Sequence, residues 1–158
     1  MDYRAEYSKC YADLYCDSTT LAKHLKKDYI QGKKSKIAIN GRNHLDIVKS
    51  IFAASRAGAD VFMFNVEIRK EQFDKLCQRF KFDLVILEDD MENLRYGLDM
   101  KALNMSSISE LSRNTVKYKL PKAFGSKLTV LTGGSTGDPK AASRKPSILA
   151  YLNPFTAL

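Results

Sequence analysis

Cysteine is scarce in this chain, and histidine is scarcer. Three cysteines, Cys10, Cys16 and Cys77, occur in 158 residues. Their number is odd and no two stand in C-x-x-C spacing, which argues against both a closed disulfide framework and a zinc-type thiolate pair. Cys16 and Cys77 are therefore expected as small buried hydrophobes. No base stands beside any of the three thiols, so a nucleophilic role has no support. The two histidines, His24 and His44, lie twenty residues apart without a surrounding pattern of metal ligands. His24 is expected on the surface of a first helix and His44 on a polar turn before a second. No metal site and no catalytic residue is assigned. Also missing is any apolar run near the ~20 residues of a membrane span. The opening residues Met1, Asp2, Tyr3, Arg4, Ala5 and Glu6 lack the apolar stretch of a signal peptide. A reducing cytoplasm is the expected location.

What is present is an ordinary globular composition, with 44% apolar and 28% charged residues. The length is that of one domain with a core of its own. A formal charge of +8 raises the question of nucleic acid or an anionic surface. The lysines are scattered along the sequence, however, and no basic run alternates with aromatics as in a single-strand binding platform. Solvated faces are the expected reading, with no nucleic acid as partner.

Apolar periodicity switches along the chain between the helical and the extended pattern. Tyr11, Leu14, Tyr15, Leu21, Ala22 and Leu25 have helical spacing. Residues 36–40 read as a short strand before the turn signal Asn40-Gly41. Ile47, Val48, Ile51, Phe52 and Ala54 return to helical spacing, with Gly58 as the stop. Residues 60–65 are strand-like. Residues 70–80 form an amphipathic helix with Phe73, Leu76, Cys77 and Phe80 on one face. Residues 83–87 are apolar enough for a strand buried on both faces. This alternation predicts an α/β fold, a mostly parallel sheet flanked by helices. The acidic group Glu88, Asp89, Asp90 and Glu92 is expected as a solvated turn. Residues 93–126 read as a connecting segment, with a short helix capped by Ser107 or Ser109.

The chemistry concentrates in residues 132–140, Thr132-Gly133-Gly134-Ser135-Thr136-Gly137-Asp138-Pro139-Lys140, just after the apolar stretch 128–131. Glycines let backbone N–H groups approach a ligand, and hydroxyls and a lysine add donors and positive charge. That set suits a polyphosphate. A Walker A loop is excluded, because its second glycine would fall on Asp138 and Lys140 is followed by Ala141. The dinucleotide fingerprint fails at Thr132, where its first glycine belongs. The run instead resembles the phosphate loop of the adenylate-forming enzymes, Ser/Thr-Ser/Gly-Gly-Ser/Thr-Thr-Gly-x-Pro-Lys, with Asp138 in the free slot. Upstream segments are similar to the same family in the same order. They are Tyr11-Ala12-Asp13-Leu14-Tyr15, Leu21-Ala22-Lys23-His24-Leu25, Lys36-Ile37-Ala38-Ile39-Asn40, the run from Ile51 and Phe52 to Gly58 and Ala59, and Phe64-Asn65-Val66. Ala141 departs from the Gly that commonly follows the family's lysine.

The resemblance implies an acyl-CoA synthetase-like ligase that activates a carboxylate with ATP, with Mg²⁺ entering on the nucleotide and CoA as acceptor. It implies that Thr132, Gly133, Gly134, Ser135, Thr136, Gly137 and Lys140 hold the β- and γ-phosphates. The family's later motifs, for adenine, ribose and the C-terminal catalytic lysine, have no counterpart here. Residues 1–158 are thus expected as one incomplete N-terminal AMP-binding subdomain without the C-terminal domain, inactive alone and prone to self-association through exposed edges. The alternative is a non-catalytic nucleotide- or anion-binding α/β module.

Overall fold

The computed structural model describes residues 11–30, 32, 34–97, 99–120, 126–132 and 140–144. Helix α1 (Tyr11–His24) runs into a single wider turn at Leu25–Tyr29. Then follow β1 (Lys36–Asn40), α2 (Leu45–Arg56), β2 (Asp60–Phe64), α3 (Lys70–Phe80) and β3 (Leu84–Leu87). A 3₁₀ segment at Asp89–Arg95 leads to β4 (Lys101–Asn104), α4 (Met105–Arg113), β5 (Leu128–Thr132) and β6 (Lys140–Arg144). The strands form one sheet in the order β4-β3-β1-β2-β5-β6. The first five are parallel neighbours, and β6 alone is antiparallel, against β5. The fold is α/β, as expected.

Strand alternation builds two cores from one sheet. Ile37, Ile39, Val61, Leu84 and Ile86 pack with Leu21, Ala53, Ala54 and Ile108 of α1, α2 and α4 and with Leu25 of the wider turn. Ala38, Phe62, Phe64, Val85 and Leu87 point the other way, onto Phe73, Leu76 and Cys77 of α3. This two-sided burial explains why β3 reads as an unbroken apolar run; all four of its residues are buried. On the α3 side the rings interlock, with Phe62 4.9 Å from Phe80 and Phe64 edge-on to Phe73 at 5.7 Å.

Local signals account for the helix ends. After α2, Gly58 takes φ of +81°, the left-handed turn that ends a helix cheaply at glycine. Lys81 plays the same part after α3 with φ of +51°, a conformation less comfortable for a side chain. Residues 93–126 hold more than a connecting segment, because β4 lies there as the sheet's edge. Helix α4 also starts at Met105 behind Asn104, so Ser107 lies inside the helix and does not cap it. Among the described residues no helix is long and apolar enough to cross a membrane.

Candidate nucleotide site

In a parallel sheet, ligands collect at the carboxyl ends of the strands, where backbone and helix N-termini are left open. Here that edge carries Asn40, Asn65, Glu88, Asn104 and Thr132, and α2, α3 and α4 all begin on it. β1 connects outward to β2 while its other neighbour, β3, connects outward to β4. The two strands therefore part at their ends, which is the topological switch point.

At the β5 end the chain turns back on itself. Thr132 pairs with Lys140, Leu131 with Ala141 and Val130 with Ala142. Antiparallel partners lie ~4.5–5.5 Å apart at Cα, so the seven-residue connection 133–139 is tied at both ends by the ladder. Gly133, Gly134, Ser135, Thr136 and Gly137 themselves lie outside the described residues. Next to this hairpin base stands the turn after β2, since Phe64 is registered with Leu131. Asn65 shapes that turn. Its Oδ1 accepts from Glu67 N at 3.3 Å, and its carbonyl accepts from Ile68 N at 3.2 Å and from Asn40 Nδ2 at 2.8 Å. Asn40 is fully buried and its Oδ1 has no hydrogen-bond partner among the described residues.

The switch point holds a second polar group. Glu88 Oε1 accepts from Arg42 N at 2.6 Å and pairs with His44 Nε2 at 2.9 Å. Arg42 donates through both terminal nitrogens to Asp90, at 3.1 and 2.7 Å. Asp89 accepts from the backbone and hydroxyl of Ser106, at 3.2 and 2.9 Å. The hydrogen bond to Arg42 holds the Asp90 carboxyl below its ordinary value, and the same bond raises Arg42. Glu88 thus departs from the expected solvated turn: it is 9% exposed and fastens the β1–α2 turn to β3. Glycine at position 41 leaves room for this contact, because a Cβ would come within 2.9 Å of Glu88 Oε1 and 2.2 Å of Ile47 Cδ1 and both side chains would have to shift. The signal in the sequence was the pairing of Gly41-Arg42 with an acid after a buried strand, which spacing alone does not connect.

Other candidates fall away from this edge. His24 is not a surface residue, since its side chain is only 14% exposed. Its Nε2 lies 2.6 Å from the Asn114 carbonyl, tying α1 to the end of α4. Cys16 is exposed, against expectation, while Cys77 is buried and its thiol is pushed up to about 12, chiefly by burial. Among the described residues no group of three His, Cys, Asp or Glu could hold a metal ion. An open groove of about 300 Å³ between Phe73, Leu87, Tyr96 and Met100 lies on the β3–β4 side, away from β5.

Comparison with known proteins decides the family. The family model described as AMP-binding enzyme matches residues 3–145. The chain belongs to the AMP-binding enzyme family. No curated protein sequence matches it significantly. Among solved structures, o-succinylbenzoate CoA synthetase (MenE) from Bacillus subtilis in complex with the acyl-adenylate OSB-AMP superposes with a TM-score of 0.76 at 13% identity, over 97% of this chain and 41% of that one. The McyG A-PCP structure complexed with phenylalanyl-adenylate gives 0.72 at 19% identity, over 94% and 25%. The Mycobacterium tuberculosis fatty acyl CoA synthetase gives 0.73 at 16%, over 87% and 29%. At these identities the likeness is one of fold. The AMP-binding chain spans between a quarter and about two fifths of these three proteins.

Proposed function

We propose that this AMP-binding chain supplies the ATP phosphate-binding half of an AMP-forming carboxylate–CoA ligase and is inactive without further sequence. The observation that carries the reading is the hairpin register of Thr132 with Lys140 at the carboxyl edge of the sheet. It returns the chain within one ladder spacing across a connection of Gly, Ser and Thr. Backbone N–H groups of residues 133–137, with the hydroxyls of Thr132, Ser135 and Thr136, hold the β- and γ-phosphates. Lys140 adds a point charge to the same oxygens. The donor set fits a triphosphate: the connection carries one carboxylate, Asp138, and its lysine stands beside the base of the loop. Mg²⁺ arrives on the nucleotide, held mainly by phosphate oxygens and water.

The reaction assigned to the complete enzyme is attack of a substrate carboxylate on the α-phosphate of ATP, releasing pyrophosphate and leaving an acyl-adenylate. The acceptor thiol then takes the acyl group. The part of this chain is to orient the departing pyrophosphate and stabilise its charge. The reading of residues 1–158 as one incomplete N-terminal subdomain belongs to this proposal. A cytoplasmic setting and self-association through uncovered edges belong to the same proposal.

Calorimetric titration tests the phosphate assignment. ATP with Mg²⁺ and inorganic pyrophosphate should both bind, AMP should bind more weakly, and adenosine should not bind. Lys140→Ala should weaken ATP by about ten-fold, the loss of one charge-assisted contact. Equal affinity of Lys140→Ala and the parent chain removes the lysine from the site. Tight adenosine binding would point to a nucleoside pocket and against a phosphate half-site.

A further inference from the structure

Lysines that are scattered in sequence gather at the opposite end of the sheet. Lys36 opens β1, Lys101 opens β4, and Lys127 immediately precedes β5. Lys81 ends α3 just before β3, and Lys27 and Lys34 lie in the approach to β1. Because the first five strands are parallel, these positions share one edge. From β4 to β5 the row crosses four strand spacings, about 19 Å. All but Lys36 are exposed.

Among the described residues four carboxylates share this end, Asp28, Asp60, Asp83 and Asp99, fewer than the six lysines together with the exposed Arg79 and Arg113 that close α3 and α4. Asp83 Oδ2 accepts from Lys36 N, and Asp60 Oδ1 from Lys127 N, both at 2.8 Å. Asp28 stands 3.7 Å from His24 Nδ1. The ammonium groups reach carbonyls instead: Lys36 Nζ donates to Phe80 O at 2.9 Å and Lys101 Nζ to Asp28 O at 2.7 Å. None of the described ion pairs includes a lysine of this row. At the other edge the acids Asp46, Glu67, Glu88, Asp89 and Asp90 are met by Arg42, Lys49, Arg69, Lys70 and Arg95, so no comparable excess of one sign stands there among the described residues.

We infer that this lysine edge is a docking face for an anionic phospholipid bilayer, which leaves the carboxyl edge turned to solvent. Six lysines outnumber the exposed arginines Arg79 and Arg113 on this edge, and compact point charges suit a diffuse and mobile field of headgroups. Duplex DNA fits poorly, because α1, α3 and α4 end on this edge and do not lie along it to enter a groove. Single strands need exposed aromatic platforms, and the described residues Tyr29 and Phe80 on this edge are half-buried, with the Lys101 ammonium 5.7 Å from the Tyr29 centroid. The attraction argued from these residues is electrostatic, so it is reversible and sensitive to salt.

Co-sedimentation of the full chain tests this, with vesicles of phosphatidylcholine alone and with one quarter phosphatidylserine. Binding is expected only to the second kind, and it should fall steeply as salt is raised. The double variant Lys34→Glu/Lys127→Glu should bind at least about twenty-fold more weakly, at roughly five-fold for each lysine lost. Lys70→Glu/Lys75→Glu on α3 carries the same change in net charge and should bind as the parent does. Circular dichroism checks that both variants fold. The inference is overturned if the anionic vesicles fail to bind at low salt, or if both double variants lose binding equally. It is also overturned if duplex DNA of equal phosphate content displaces the vesicles. ATP binding is measured separately, and its outcome leaves this test unaffected.

Discussion

Replacing Glu88 should loosen the edge of the sheet on which the nucleotide is proposed to sit. The carboxylate is 9% exposed, and one oxygen, Oε1, serves both Arg42 N at 2.6 Å and His44 Nε2 at 2.9 Å. Hydrogen bonds to a charged group contribute about 1.5–3 kcal/mol each when buried. Arg42 is exposed and His44 is half-exposed, so water replaces part of what is lost. For Glu88→Ala we expect about 2 kcal/mol, less than two fully buried bonds of this kind would give, because both donors are partly solvated. In a domain of this length that lowers Tm by about 4–8 °C. Glu88→Gln keeps an oxygen acceptor and loses the charge, so about half the effect remains. Asp90→Asn at the exposed end of the same group should lower Tm only slightly. Thermal melting followed by circular dichroism at neutral pH reads all three. A Glu88→Ala chain that melts with the parent would refute the claim that this carboxylate fastens the β1–α2 turn.

Phe73 is fully buried and edge-on to Phe64, so Phe73→Ala should cost about 3–5 kcal/mol in urea unfolding. The exposed Cys16 should react rapidly with a disulfide reagent at neutral pH. Cys77, raised to about 12 and buried, should react only after denaturant is added. Because Asp90 is lowered by Arg42, its contribution to stability is present above the ordinary aspartate range and is lost as pH falls through the lowered value. An acid titration of Asp90→Asn should therefore match the parent below that point and diverge only weakly above it, less so at high salt.

The parts of the fold legible in the sequence were those whose pattern exceeds one turn or one strand. β1, β2 and β3 announce themselves through apolar runs, and α2 and α3 through helical spacing, with Gly58 as the stop of α2. β4 escaped because Lys101, Ala102, Leu103 and Asn104 make a four-residue edge strand in which Leu103 alone is buried. Such a strand is held by its ladder to β3, and that partner is invisible in local sequence. The start of α4 was misplaced for a related reason: Asn104 makes no side-chain cap, so packing of Met105 and Ile108 sets the boundary. Glu88 was misread because burial of a carboxylate depends on what faces it across the switch point. The lysine edge needed the sheet itself, since parallel pairing alone brings Lys36, Lys101 and Lys127 to one side. The glycine-rich connection was legible as chemistry, and the structure adds the antiparallel register of its two ends.

The central claim is that phosphates bind at the connection between Thr132 and Lys140. Amide chemical shifts of the isotope-labelled chain, recorded while ATP with Mg²⁺ is added, test it most directly. The account predicts that residues 132–140 and the adjoining Asn65 turn move with ATP and with pyrophosphate, and stay in place with adenosine. Shifts confined to the lysine edge or the β3–β4 groove, with residues 132–140 unmoved, would contradict it.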